Sequence, residues 1–416
     1  MNYLLKNITL FHIAPEYNGK KMDVFIEDGK LSKIAPSIAM ENMETHDFTG
    51  CSITQGFCDL MVNINDPGFE YRDDMETLAK SAVAGGFTTI GALANNHPIT
   101  QTKAQVEYIL NKSKSTPISF LPIGAITENF DGKSPTEMLD MHAAGAVAFA
   151  DVPHSIKDSG VLLRALQYTA PFDGLIIATP FDKTLVGEGQ VNESEIAVRM
   201  GMKGITNLSE FAALQRDIEI LNYAGGRLHV AGISTKESVE LIRQAKAKNL
   251  AITCSVFVHH LISDENDVKT FDSNYKVFPP LRTKEDQQAL IDGLLDGTID
   301  CISTQHTPLS IDEKNVEFEL ADYGMLGLES AFGLLNKKLG NIISKEKMIE
   351  LLAISPRNII QPNAINTDFV ILNFEEEYVF TEKHIQSKSK NSPYIGNTLK
   401  GKVKAVISKG KMIFNN

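Results

Sequence analysis

The chain holds 416 residues, 43% of them hydrophobic and 22% charged, with a formal net charge of −12 and a pI near 5.4. That composition belongs to a globular protein with a sizeable core, and the acidic balance argues against nucleic acid or an anionic membrane surface as partner. No run is apolar for the length a bilayer demands. The opening MNYLLKNITLFHIAPEYNGKK carries no long apolar segment before a small-residue cleavage site, so the expectation is a cytoplasmic protein without a signal peptide.

The first fifty residues read as short strands: NYLLKNITLF, a hairpin in KMDVFIEDGKLSKIAP turning at Glu27-Asp28-Gly29, and METHDFTGCSITQGF. The last fifty behave alike, with TDFVILNF, EEYVFTE and LKGKVKAVISKGKMIF, the last turning at Lys409-Gly410-Lys411. Both ends therefore read as one small β-sandwich domain, residues 1–54 and 363–416.

Between them the pattern alternates. Strand-like runs stand at CDLMVNI, TTIGALA, ISFLPIGAI, AVAFA, GLIIAT, RLHVAG, LAITCSVF and DCISTQ, with helical patterns such as METLAKSAVAGG and TKESVELIRQAKAKN between most of them. Eight strand–helix repeats predict a (β/α)8 TIM barrel over residues 55–362, since parallel neighbours need such crossovers. Chemistry in that fold sits where strands end. The strand ends hold Met61, Asn63 and Asn65 (first), Asn95 and Asn96 (second), Asp151 (fourth), Thr179 (fifth), Gly232 (sixth), Ser255 to His260 (seventh), and Gln305 and His306 (eighth). Cys51, Cys58, Cys254 and Cys301 lie in apolar contexts without CxxC spacing and read as buried thiols.

Long segments, in order, carry a resemblance: DPGFEYRDDMETLAKSAVAGGFTTI, VNESEIAVRMGMKGITNLSE, STKESVELIRQAKAKNLAIT, PPLRTKEDQQALIDGLLDGTIDCIST, GLESAFGLL and KNSPYIGNTLKGKV. Together they resemble the dihydroorotases of the amidohydrolase superfamily, in the class whose termini build a β-sandwich. The resemblance implies reversible cyclisation of carbamoyl aspartate by a zinc-bound hydroxide.

The residues that chemistry requires are absent. The family's His-x-His at the end of strand one is Met61 and Asn63 here. Its histidines after strands five and six are Thr179 and Gly232, and its aspartate after strand eight is Gln305. Asp151 remains, followed by Val152 where a second acid is common. The arginine that reads the substrate carboxylate is Asn65, an asparagine before the double proline is Phe278, and a later histidine is Leu309. Asn95 and Gly324 match the family. His229, His259, His260 and His306 match positions not counted as ligands.

Thioether, amide, hydroxyl and glycine are poor replacements for imidazole and carboxylate around zinc, and an amide cannot act as a base at neutral pH. The expectation is a degenerate, metal-free homologue with no catalytic residue. Its vestigial pocket comprises Met61, Asn63, Asn65, Asn95, Asp151, Thr179, Gly232, Phe278, Gln305 and His306. Non-catalytic relatives imply a structural role in pyrimidine biosynthesis as a partner of aspartate transcarbamoylase, and the family implies a homodimer. Two other readings stand beside it. One is an active amidohydrolase on cyclic amide bonds with an unusual or absent metal, built on Asp151, Asn95, His259, His260 and His306. The other is a protein that binds a pyrimidine precursor through Asn63, Asn65, Asn95 and Gln305.

Overall fold

The computed structural model describes residues 2–40, 43–362 and 367–415. Eight strands follow one another around a single sheet: Phe57–Val62, Phe87–Ala92, Ser119–Gly124, Ala148–Phe149, Leu175–Ala178, Arg227–Val230, Ile252–Phe257 and Cys301–Ser303. Every pairing along the path is parallel. The first and eighth strands meet at the top, where the Asn63 N–H donates to the His306 carbonyl at 3.1 Å. The barrel is thus nearly closed.

Its interior is apolar. Cys58, Leu60, Ile123, Ala148, Ile177 and Cys301 belong to one buried cluster that also takes in Met61 and Phe257. A larger cluster gathers the outward faces of the strands and the helices packed on them, among them Phe87, Ile109, Leu166, Ile242 and Leu290. Continuous burial of this kind is what strands covered on both faces require. The helices carry their own boundary signals. Asp74 accepts from the Glu76 and Thr77 amides and starts Met75–Gly85, which Gly86 ends in the left-handed region at φ 87°. Thr235 caps Lys236–Ala247 by accepting from the Ser238 amide.

Strands from the two chain ends form a second eight-stranded sheet. In it Ser52–Gln55 pairs antiparallel with Phe369–Val379, joining the N-terminal hairpin to the C-terminal strands. Tyr3, Leu5, Ile26, Ile53, Phe369 and Ile407 share its core. The segments TDFVILNF and EEYV are one strand, Phe369–Val379, rather than two; its register shifts between Asn373 and Glu377, so a bulge takes the place of the expected turn. The domain boundary expected after residue 362 falls at 363–366, outside the described residues. All four cysteines are buried and free. No described helix is long and apolar enough to cross a membrane.

Candidate functional site

The mouth of the barrel is built from the segments that follow the strands. Asp59, inside the first strand, prepares it: its carboxylate accepts from the Met61 amide at 3.0 Å and, across the closure, from the Thr304 amide at 2.9 Å. Burial raises this carboxyl to about 6. An aspartate within FCDLMV was the sequence signal for this clasp, and residue-by-residue comparison of strand ends passes over it.

Met61 is fully buried and packs into the barrel interior. The first strand ends at Val62. Asn63 Nδ2 then donates to Thr307 Oγ1 at 2.7 Å and to the His306 carbonyl at 3.3 Å, while its Oδ1 accepts from Asn95 Nδ2. Met61, Asn63 and Asn65 stand at alternate positions in the sequence, but Asn65 does not continue the pleat of the strand. That residue lies in the left-handed region at φ 57° and closes a turn by accepting from the Phe69 amide at 2.8 Å. Asparagine tolerates that conformation, so the strand pleat stops two residues earlier.

Asp151 is buried at the fourth strand end and its carboxylate is hydrogen-bonded. One carboxylate oxygen accepts from the Ile126 and Thr127 amides at 2.7 and 3.0 Å, and the other accepts from Thr127 Oγ1 at 2.5 Å. Three donors engage it, and burial raises its affinity for a proton. It ties the third-strand loop to the fourth strand end.

Gly232 has φ 70°, and a Cβ placed on it would lie 2.0 Å from Phe257 Cε2. The phenyl ring from strand seven occupies the volume a ligating side chain would need. Gln305, also left-handed at φ 52°, donates its Nε2 to the Phe278 carbonyl at 2.8 Å. Above it Phe278 meets Phe181 edge to face, with ring centres 4.6 Å apart, and Tyr323 at 5.8 Å. The Tyr323 hydroxyl donates to the Gly189 carbonyl at 3.1 Å. Loops after strands five, seven and eight thus meet in an aromatic plug. Only its Phe278 member was legible from a single chain.

His229, His259, His260 and His306 are all buried. His306 is completely buried, and its Nδ1 accepts from the Gly327 and Leu328 amides at 3.1 and 3.2 Å. Those bonds fix the neutral ring with its proton on Nε2, and burial lowers its pKa to about 4. His229 lies between Thr253 Oγ1 and Ser255 Oγ at 2.9 and 3.1 Å, and burial lowers it to about 3. His260 Nε2 lies 3.1 Å from the Pro279 carbonyl, and its ring centre is 4.5 Å from that of His259. Thr179 is half-buried. Among the described residues its Oγ1 has no hydrogen-bond partner, and neither do Asn65 Nδ2, Asn95 Oδ1, His259 Nε2 and His306 Nε2.

Zinc requires three or four N, O or S donors within about 2.0–2.3 Å of one point. Among the described residues no group of three histidine, cysteine, aspartate or glutamate side chains is arranged to hold a metal. The surviving carboxylate is spent on amides, and the sixth-strand position is filled by a ring.

Comparison with solved structures defines the fold as that of the amidohydrolases. The chain superposes on the L-hydantoinase (dihydropyrimidinase) from Arthrobacter aurescens with a TM-score of 0.86 at 23% identity, covering 99% of this chain and 96% of that one. A D-hydantoinase matches at 0.85 and 19% identity, over 100% and 96% of the two chains. A family model described as dihydro-orotase-like matches residues 50–238. A dihydroorotase from Caldanaerobacter subterraneus subsp. tengcongensis is 39% identical over 94% of this chain and 93% of its own length. One from Listeria innocua is 36% identical over 99% of both. The chain belongs to the dihydroorotase-like family.

Proposed function

We propose that this protein is a dihydroorotase homologue that binds no zinc, does not turn over carbamoyl aspartate, and serves pyrimidine biosynthesis as a structural partner. The name its relatives carry supports the pathway. The loss of chemistry is supported above all by one contact: the Phe257 ring stands where the residue at 232 would have to place a ligating atom. The donors elsewhere agree. A protein with Met61, Thr179 and Gln305 at the centre has neither the charge to retain a divalent cation nor a base to deprotonate water. With Asn65 in the arginine position, a dianionic substrate also lacks a bidentate partner worth a few kcal/mol.

What is retained is the scaffold. Helix caps, the barrel closure and the terminal sheet are intact, which suits a protein kept for its surface. Aspartate transcarbamoylase is the partner the family resemblance implies. Purified protein supplied with zinc is expected to show no interconversion of carbamoyl aspartate and dihydroorotate above background, and turnover that rises with added zinc overturns the proposal. Mixing with aspartate transcarbamoylase from the same cells is expected to give a complex in sedimentation, and its absence removes that partner.

A second reading is favoured by the unpartnered atoms of Asn65, Asn95, Thr179 and His306, since buried polar atoms normally find partners. It is a protein that binds a pyrimidine precursor without reacting with it. Flat titrations with dihydroorotate, orotate and carbamoyl aspartate dispose of it.

A further inference from the structure

The seam between barrel and terminal sheet holds a cavity of about 410 Å³, away from the barrel mouth. This is within the range of about 300–1,000 Å³ that small-molecule sites occupy. Its walls come from the helices Met75–Gly85 and Ala331–Leu339 and from the strands Phe369–Val379, Thr398–Ser408 and Lys411–Phe414. Barrel helices and C-terminal strands both contribute to it.

The lining inverts the charge of the protein. Lys80, Lys383 and Lys402 line the cavity, with Glu329 as the only acid among the lining residues, in a chain whose net charge is −12. Lys80 reaches Glu76 at 2.9 Å and Lys402 reaches Glu376 at 3.8 Å; Glu376 is held closer by Lys404, at 3.0 Å. Lys383 is exposed and has no ion pair among the described residues. Glu329 is buried, and its Oε1 accepts from the Gln386 and Ser387 amides at 3.2 and 3.4 Å.

Flat surfaces stand beside these cations. Tyr378 and His384 meet with ring centres 5.1 Å apart, and Phe414, half-exposed at 49%, edges the opening. His384 Nδ1 accepts from the Thr381 amide at 3.0 Å, which leaves Nε2 of the neutral ring as a donor. Gly333 and Gly401 bring bare backbone to the wall.

From this juxtaposition of lysines, an imidazole donor and aromatic rings in one cavity of mononucleotide size, we propose a binding site for a small anion carried on a flat ring, of the chemical class of a nucleoside monophosphate. The cations would take the phosphate, with Lys383 and Lys402 foremost, and the rings of Tyr378 and Phe414 would take the base. Glu329 Oε2 lies 4.0 Å from His306 Nδ1, so an occupant would touch a residue that itself contacts the rear of the barrel mouth.

The test is calorimetric titration of the full chain with the four ribonucleoside 5′-monophosphates, with the parent nucleosides and inorganic phosphate as separate arms. At least one monophosphate is expected to bind saturably, at one per chain, and more tightly than its nucleoside or phosphate alone. Lys383→Glu and Lys402→Glu are each expected to weaken it by roughly tenfold, as is raised salt, and Phe414→Ala should weaken the monophosphate but not phosphate. Lys103→Glu, on a different helix, should leave binding unchanged, and thermal melts report whether each variant is folded. The inference is overturned if no monophosphate binds saturably, or if binding survives both charge reversals in folded protein.

Discussion

A Cβ on Gly232 would begin 2.0 Å from Cε2 of Phe257, a ring that is fully buried. The two positions are therefore coupled: the sixth strand end can lack a side chain because the seventh strand supplies one. Gly232→Ala meets both the ring and a backbone at φ 70°, and should cost about 2–4 kcal/mol. Phe257→Ala should cost about 3–5 kcal/mol through the void it leaves. The double variant is expected to cost less than the sum by more than about 0.5 kcal/mol. Denaturant unfolding of the four proteins measures this, and strict additivity would refute the coupling.

His306 gives a pH dependence with a defined sign. Its folded pKa, about 4 because of burial, lies below the unfolded value near 6.5. The unfolded chain thus takes up the proton first, and stability present above about pH 6.5 is lost as pH falls towards 4, by at most about 3 kcal/mol. Asp73 opposes the shift, and Glu329 Oε2 is 4.0 Å away. His229 and His260 act in the same direction, so the test is a comparison. The stability advantage of the wild type over His306→Asn, which keeps an acceptor but does not titrate, should shrink on acidification. Parallel curves would show that the ring does not titrate as argued.

Asn391, in the C-terminal segment, is buried and fastens it to the barrel mouth. Its Nδ2 donates to the Thr307 carbonyl at 2.9 Å, and its Oδ1 accepts from the Leu309 amide at 3.2 Å. Asn391→Ala leaves both buried groups without that partner and should cost about 1–3 kcal/mol. Amide exchange at Leu309 should rise with it. Unchanged exchange there would show that the fastening lies elsewhere.

The barrel was legible because its strands are apolar runs at regular spacing with helical patterns between them. The terminal sheet was legible from hairpin turns such as Asp28-Gly29 and Lys409-Gly410. The donor losses at Met61, Asn63, Thr179, Gly232 and Gln305 could be read from strand ends alone. What fills their places could not. The Phe257 ring over Gly232, and Phe181 and Tyr323 against Phe278, are contacts between distant segments with no local pattern to announce them. Asp151 illustrates the same limit: its identity survived, but its carboxylate is engaged by the amides of Ile126 and Thr127, 25 and 24 residues earlier. Asn65 failed for a local reason, since a left-handed residue ends the strand pleat and alternation alone does not show where that happens.

Metal content tests the central claim most directly. Protein purified without chelators, equilibrated with zinc and freed of loose ion by gel filtration, is expected to carry well under one zinc per chain by elemental analysis. A stoichiometric zinc that survives filtration and is lost on substitution of residues at the barrel mouth would contradict it.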